Sequence, residues 1–245
     1  MTSLRVVRVL CLSALTAVLS SAPALAQTGG RLTAGISFGA QTRSGDFTQR
    51  LTPTIYDETA TIDIAQSYES GGLFDIGGEA LIFGDLGVGI HFTRTAGDGT
   101  AAIAAQIPDR LFFDRLRAAT GVADGLDHTE NAVHVQVLYR FAATPKIDVT
   151  VGLGPTFFSV KQELINAVDV IEPTPSINPQ VVEASDSPVG VNVGADITYM
   201  VTERVGAGVL LRYATGSADL TTPGGGAVSL DAGGFQFAAG VRVRF

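Results

Sequence analysis

The chain has 245 residues, a formal charge of −8, one cysteine and no tryptophan. An acidic balance with no basic stripe argues against a nucleic-acid partner. Mean hydropathy is +0.30, yet beyond the N-terminal region no apolar run is long enough to cross a bilayer as a helix, which argues against a helical membrane protein.

Arg5 and Arg8 open the chain, Val9 to Leu19 is a short apolar run, and Ala24-Leu25-Ala26 has the small-x-small form of a cleavage site. Together they predict a secretory signal over residues 1–26, cut between Ala26 and Gln27. The rival reading is an uncleaved anchor, for which the run is too short. Cys11 lies inside the run with no small residue before it, so a lipoprotein signal is not indicated. Removal of the signal leaves 219 residues, 14 basic against 24 acidic, a charge of −10 and no cysteine. Disulfides and thiolate chemistry are then excluded, and residues 27–245 are expected to form one domain.

The rest alternates. Leu32, Ala34, Ile36, Phe38 and Ala40 share one side of an extended segment and Thr33, Gly35, Ser37 and Gly39 the other. The pattern recurs over 74–82, 86–93, 133–141, 147–154, 189–199, 205–213 and 235–245. The connections sort by length. Gly84-Asp85, Thr144 to Lys146 and Thr202 to Arg204 are tight turns, whereas 43–72, 97–130, 162–187 and 217–228 are long. Tight turns on one rim and long loops on the other predict an all-β, up-and-down antiparallel transmembrane β-barrel of about eight strands, each near ten residues. Segments 46–56 and 59–68 also alternate. Pro53 and the lipid-facing place of Gln49 favour a hairpin above the membrane; as spanning strands they would raise the count to about ten.

The faces opposite the aliphatic rows are rich in glycine and carry Asp75, Glu79, His91, His134, Arg140, Asp148, Asp196, Arg212, Arg242 and Arg244. A barrel of this size is just wide enough for its own side chains, and a lone buried charge is costly. A polar network of ion pairs filling the lumen is therefore expected; a gated ion path is the alternative. Phe83, Tyr139, Phe141, Tyr199, Tyr213 and Phe245 fall near predicted strand ends and suit aromatic girdles.

Little points to chemistry. His91, His128 and His134 stand in no zinc spacing, and Gly152-Leu-Gly154 and Gly206-Ala-Gly208 lack the rest of a phosphate loop, so no metal and no cofactor is expected. Asp127-His128-Thr129-Glu130 at a strand's outer end is the candidate for a rim hydrolase, with Ser185, Ser187 or Ser217 as the hydroxyl. Loop 162–187 is acidic, and its prolines argue against regular structure. Leu111, Phe112, Phe113 and Leu116 are apolar for a loop. They are expected to pack on the barrel rim, or else to form a contact surface.

The terminal strand is the most specific segment. Phe235, Phe237, Ala239, Val241, Val243 and Phe245 oppose Gln236, Arg242 and Arg244. With the signal, the repeated strands and Val-Arg-Val-Arg-Phe245, the chain resembles the small outer-membrane β-barrels of Gram-negative bacteria, broadly OmpA/OmpW-like. The resemblance implies a lipid-embedded barrel in the outer membrane, with lipid and lipopolysaccharide around it. It also implies Phe245 as a signal for the barrel-assembly machinery. Roles vary within that group. The expected function is structural, interactive or passive toward small solutes, without catalysis. A narrow channel for ions or small apolar molecules is the first alternative and a rim-site hydrolase the second. A monomer is favoured.

Overall fold

Alternating side chains become strands almost throughout. The structure, a computed structural model, describes residues 31–69, 71–172, 176–221 and 227–245. The expected signal and its cleavage at Ala26 and Gln27 lie outside these residues. The described strands are β1 (Leu32–Thr42), β2 (Ser44–Leu51), β3 (Thr54–Ile55), β4 (Glu58–Thr59), β5 (Thr61–Glu69), β6 (Gly72–Phe83), β7 (Leu86–Pro108), β8 (Leu116–Thr144), β9 (Ile147–Ile171), β10 (Ser176–Asp186), β11 (Val189–Met200), β12 (Val205–Thr221) and β13 (Ala227–Arg244).

Eight of them close a ring in the order β1-β6-β7-β8-β9-β11-β12-β13, every pairing antiparallel, with β13 returning to β1 from Thr33↔Arg244 to Thr42↔Phe235. The strand count is thus eight rather than ten. β2 and β5 form a hairpin that stands on the far half of β7, from Thr61↔Gln106 to Tyr68↔Gly99. The tight turns share one rim. Gly84 takes a φ of +58°, and the hydroxyls of Thr144 and Thr202 accept from the backbone N–H groups of Ile147 and Val205, each at 3.0 Å.

The opposite rim differs from expectation. The described residues of 97–130, 162–187 and 217–228, expected as loops, are largely strand: β7, β8 and β9 run 23, 29 and 25 residues, far beyond what a bilayer needs. Pro179 sits within β10, contrary to the expectation that prolines keep the segment irregular. It is tolerated because β10 pairs with β9 alone, so no ladder bond is lost on its other edge. The long strands, with β2, β5 and β10, build a tower on the barrel. From Arg94 to Pro108, β7 rises roughly 35 Å at strand spacing and barrel tilt.

Polarity inverts along this structure. In β7 odd-numbered residues face inward throughout. Low in the strand the inward row is His91, Thr93 and Thr95, and the outward row Val88, Ile90 and Phe92. Higher up the inward row is Ala101, Ile103, Ala105 and Ile107, and the outward row Arg94, Asp98, Thr100 and Gln106. Hydrocarbon wets the first outward row and water the second.

Two features shape the junction. β1 and β13 approach so closely that a Cβ on Gly39 would meet the Phe237 carbonyl oxygen at 1.9 Å, and one on Gly240 the Ile36 carbonyl oxygen at 1.9 Å. Gly233 and Gly234, with φ of +89° and +133°, turn β13 away from β1 where the tower begins.

Candidate functional site: a filled bore beneath an apolar tower

All ten lumen candidates face the bore, each acid opposite an arginine. Nearest the tight turns, Arg244 pairs with Asp148 and Arg242 with Asp196; Arg242 Nη1 also donates to Ser37 Oγ at 2.8 Å. Arg140 donates to Glu79 at 2.7 Å and to Thr33 Oγ1 at 2.9 Å. In mid-bore Arg212, fully buried, donates to Asp75 Oδ2 at 2.9 Å and to Thr93 Oγ1 at 3.0 Å. The Thr93 hydroxyl in turn donates to the same carboxylate oxygen at 2.9 Å. His91 joins the two acids, Nδ1 lying 3.3 Å from Asp75 and Nε2 3.8 Å from Glu79. His134 spans Thr156 at 2.8 Å and Thr93 at 3.1 Å.

A second polar layer closes the upper bore from outside the ten lumen candidates. Gln236 donates to Gln41 and Gln41 to Glu130, each at 2.9 Å; the Gly233 N–H donates to Glu130 at 3.0 Å. Gln136 donates to Asn192, which donates to Thr156 at 2.8 Å. A signal for Glu130 and His128 does exist in the sequence: both share the parity of His134 and Gln136 on β8. Reading 97–130 as a loop hides it.

Free space in the bore is small. The hollow between Thr33, Glu79, Arg140 and Asp148 measures about 10 Å³, room for about one water. Above the polar layers the tower is packed with hydrocarbon. Ile62, Ile64, Ile103, Ile107 and Ile165 form one cluster, and Tyr68, Leu164, Leu220, Val228 and Leu230 another.

The hydrolase candidates are not brought together. His128 is buried, stacked on Tyr68 at 4.5 Å, with Nδ1 2.7 Å from Gln162 Oε1 and Nε2 3.2 Å from Glu130. Ser217 is exposed and its hydroxyl lies 3.2 Å from Ser229; Ser185 and Ser187 are not among His128's partners. No group of three or more metal-ligating side chains occurs among the described residues.

At the tip three turns are clasped. Arg117 donates to Glu172 at 2.5 and 3.0 Å, the Tyr56 hydroxyl donates to Glu172 at 3.2 Å, and the Asp114 N–H donates to Glu58 at 2.7 Å. The Arg117 guanidinium holds the Glu172 carboxyl below its usual range. Leu111, Phe112, Phe113 and Leu116 do not pack on the rim: Leu111 is 79% and Phe113 77% exposed. The strands carry this turn to the top of the tower, beyond reach of the barrel.

Around the barrel, Ile36, Phe38, Ile76, Ile90, Val137, Leu153, Val193 and Val241 point outward as one apolar belt. Phe83, Tyr139, Phe141, Tyr199, Tyr213 and Phe245 are exposed with them, and the Phe245 N–H donates to the Leu32 carbonyl at 2.9 Å.

No protein-family model matches the chain, and no curated protein sequence matches it. Solved structures do. The chain is similar to the outer membrane protein OprG from Pseudomonas aeruginosa, at 11% identity and a TM-score of 0.50, over 89% of this chain and 96% of that one. It is also similar to Neisserial surface protein A, at 12% identity and 0.44, over 87% and 97%. A third is the outer membrane protease OmpT from Escherichia coli, at 12% identity and 0.42, over 89% and 98%. At these identities the likeness concerns the fold alone. The closed antiparallel ring, its apolar belt and the likeness to OprG agree with the expected outer-membrane setting and give the chain the fold of the small outer-membrane β-barrels.

Proposed function

We propose that the chain is a sealed barrel of a Gram-negative outer membrane that holds a rigid extracellular tower as a contact surface, without catalysis. The observation that carries this reading is the double seal: four acid–arginine pairs across the bore and an apolar core above them. An aqueous path would break both. The tower's outer face offers area for contact, including a hollow of about 830 Å³ bordered by the exposed Thr48, Ala65, Ala102, Ala104 and Val122. In this reading outer-membrane lipid and lipopolysaccharide surround the belt, and Phe245 is read by the barrel-assembly machinery.

Planar-bilayer recording tests it. The full chain is expected to give no steady conductance, whereas a steady open level in most insertions would restore the narrow-channel alternative. Hydrolysis of a lipid or peptide substrate that disappears in His128→Ala would restore the hydrolase.

A further inference from the structure

The turn that joins β7 to β8 over residues 109–115 holds apolar side chains in water and is built to keep them there. The Asp109 N–H donates to the Arg115 carbonyl at 2.7 Å and the Leu111 N–H to Asp109 Oδ1 at 2.9 Å, which closes the turn from within. Glu58 and Glu172, through the Asp114 N–H and Arg117, fix it to the neighbouring turns. Leu111, Phe112, Phe113 and Leu116 are each more than half exposed, and none belongs to the apolar clusters of the tower. A turn braced in this way cannot fold its rings underneath, and it loses little freedom on meeting a partner.

Shape, area and charge select the partner. The turn is the convex end of a hairpin and presents no groove. Even fully covered, four such side chains fall short of the roughly 800 Å² that each side buries in a stable protein–protein contact. A bilayer requires neither a matching groove nor that area. Aromatic and leucine side chains enter the boundary of its acyl chains, while cationic side chains remain among the headgroups. Arg110 precedes Leu111, Phe112 and Phe113, and Arg115 precedes Leu116. Both arginines are exposed without an ion pair among the described residues, and the Arg115 guanidinium lies 5.6 Å from the centre of the Phe112 ring.

The acids around the turn are mostly engaged. Asp109 lies 3.7 Å from Arg117 Nε, Glu58 accepts from the Asp114 N–H, and Glu172 is held by Arg117. Asp57 and Asp114 are exposed and offset the two free arginines, so hydrocarbon rather than net charge governs a contact here. A neutral lipid surface is enough. It is not the barrel's own bilayer: the tower sets the turn roughly 35 Å above Arg94, where the belt ends.

We propose that the turn inserts Leu111, Phe112, Phe113 and Leu116 into the outer leaflet of a facing phospholipid bilayer, so that the tower links the barrel's membrane to a second one. The proposal rests on the reading of the tower as a contact surface and names what that surface meets.

The test uses the full chain in nanodiscs and sucrose-loaded vesicles of phosphatidylcholine, which pellet while free nanodiscs do not. The wild type is expected to pellet with the vesicles at low salt and at about 1 M salt alike. Phe113→Ser is expected to weaken binding about tenfold, and Phe112→Ser with Phe113→Ser about a hundredfold. Both rings are exposed, so both variants should keep the folded, heat-modifiable band on a gel. Phe113→Trp places a lone tryptophan in a chain that has none. Brominated lipid in the added vesicles should quench it, and brominated lipid in the nanodisc alone should not. Four results would overturn the proposal: no pelleting with vesicles, binding abolished by salt, unchanged affinity in the double variant, or quenching by the nanodisc's own lipid. The second would make the contact one of charge, and the last would lay the turn on the membrane that holds the barrel. A conducting bore in planar bilayers would sink the sealed-barrel reading and leave these vesicle outcomes to be judged separately.

Discussion

Arg212 shows at the scale of one residue why the bore is filled rather than open. Its guanidinium has left water entirely, and Asp75 and Thr93 are what it gains in return. Removing one member of such a pair strands the other. Asp75→Ala is therefore expected to destabilise the folded barrel by about 3–5 kcal/mol, measured by urea titration followed as the shift between folded and unfolded bands on a gel. A loss under about 1 kcal/mol, the size of a surface pair, would mean that water already reaches Arg212. At this scale the four acids and four arginines of the lumen were legible, because a narrow barrel must answer each acid with a base. The places of Glu130 and Gln41 in the bore were not. Their role depends on the Gly233 backbone, whose N–H donates to Glu130 and whose carbonyl accepts from Gln41, and the positive φ there comes from no residue pattern.

Among elements, the contact of β1 with β13 and the clasp at the tip make separate predictions. Gly240 leaves no room for a Cβ beside the Ile36 carbonyl, which is backbone and cannot swing aside. Gly240→Val is expected to slow or prevent ring closure, read as loss of the heat-modifiable folded band after refolding into lipid. Gly72 is the tolerant control, because a methyl group added there would meet nothing within 4 Å: Gly72→Ala should fold as the wild type does. The clasp carries a pH dependence. The Arg117 partner holds Glu172 below its ordinary value of 4.5, so the clasp is fully formed above that value and is lost as pH falls through the lowered one. Hydrogen exchange at residues 109–117 is expected to speed up below about pH 4 and not between 5 and 8. In Glu172→Gln the acid-induced change should be absent. The strands of the ring were legible because aliphatic rows against glycine and charge repeat at period two. The upper halves of β7, β8 and β9 were not. There the outward side chains, such as Asp98, Thr100 and Gln106, are those of ordinary loops, and alanines fill many inward places.

For the molecule as a whole, one continuous wall serves two solvents. The inward row of β7 passes from His91 and Thr93 to Ile103 and Ile107 without a change of parity, while the outward row passes from Ile90 and Phe92 to Arg94 and Gln106. The lower half is an inverted protein in hydrocarbon and the upper half an ordinary one in water. The architecture of the lower half followed from the sequence because both of its faces carry strong signals. That of the tower followed only from the pairing of strands distant in the chain.

The absence of tryptophan gives a clean background for the most direct measurement of this inversion. Single tryptophans are placed by Ile90→Trp on the belt and Val122→Trp on the tower's outer face, both exposed, and the chain is refolded into bilayers of brominated lipid. Strong quenching of fluorescence at position 90 and almost none at 122 is the expected result. Equal quenching at the two positions, or stronger quenching at 122, would contradict a wall whose lower outside faces lipid and whose upper outside faces water.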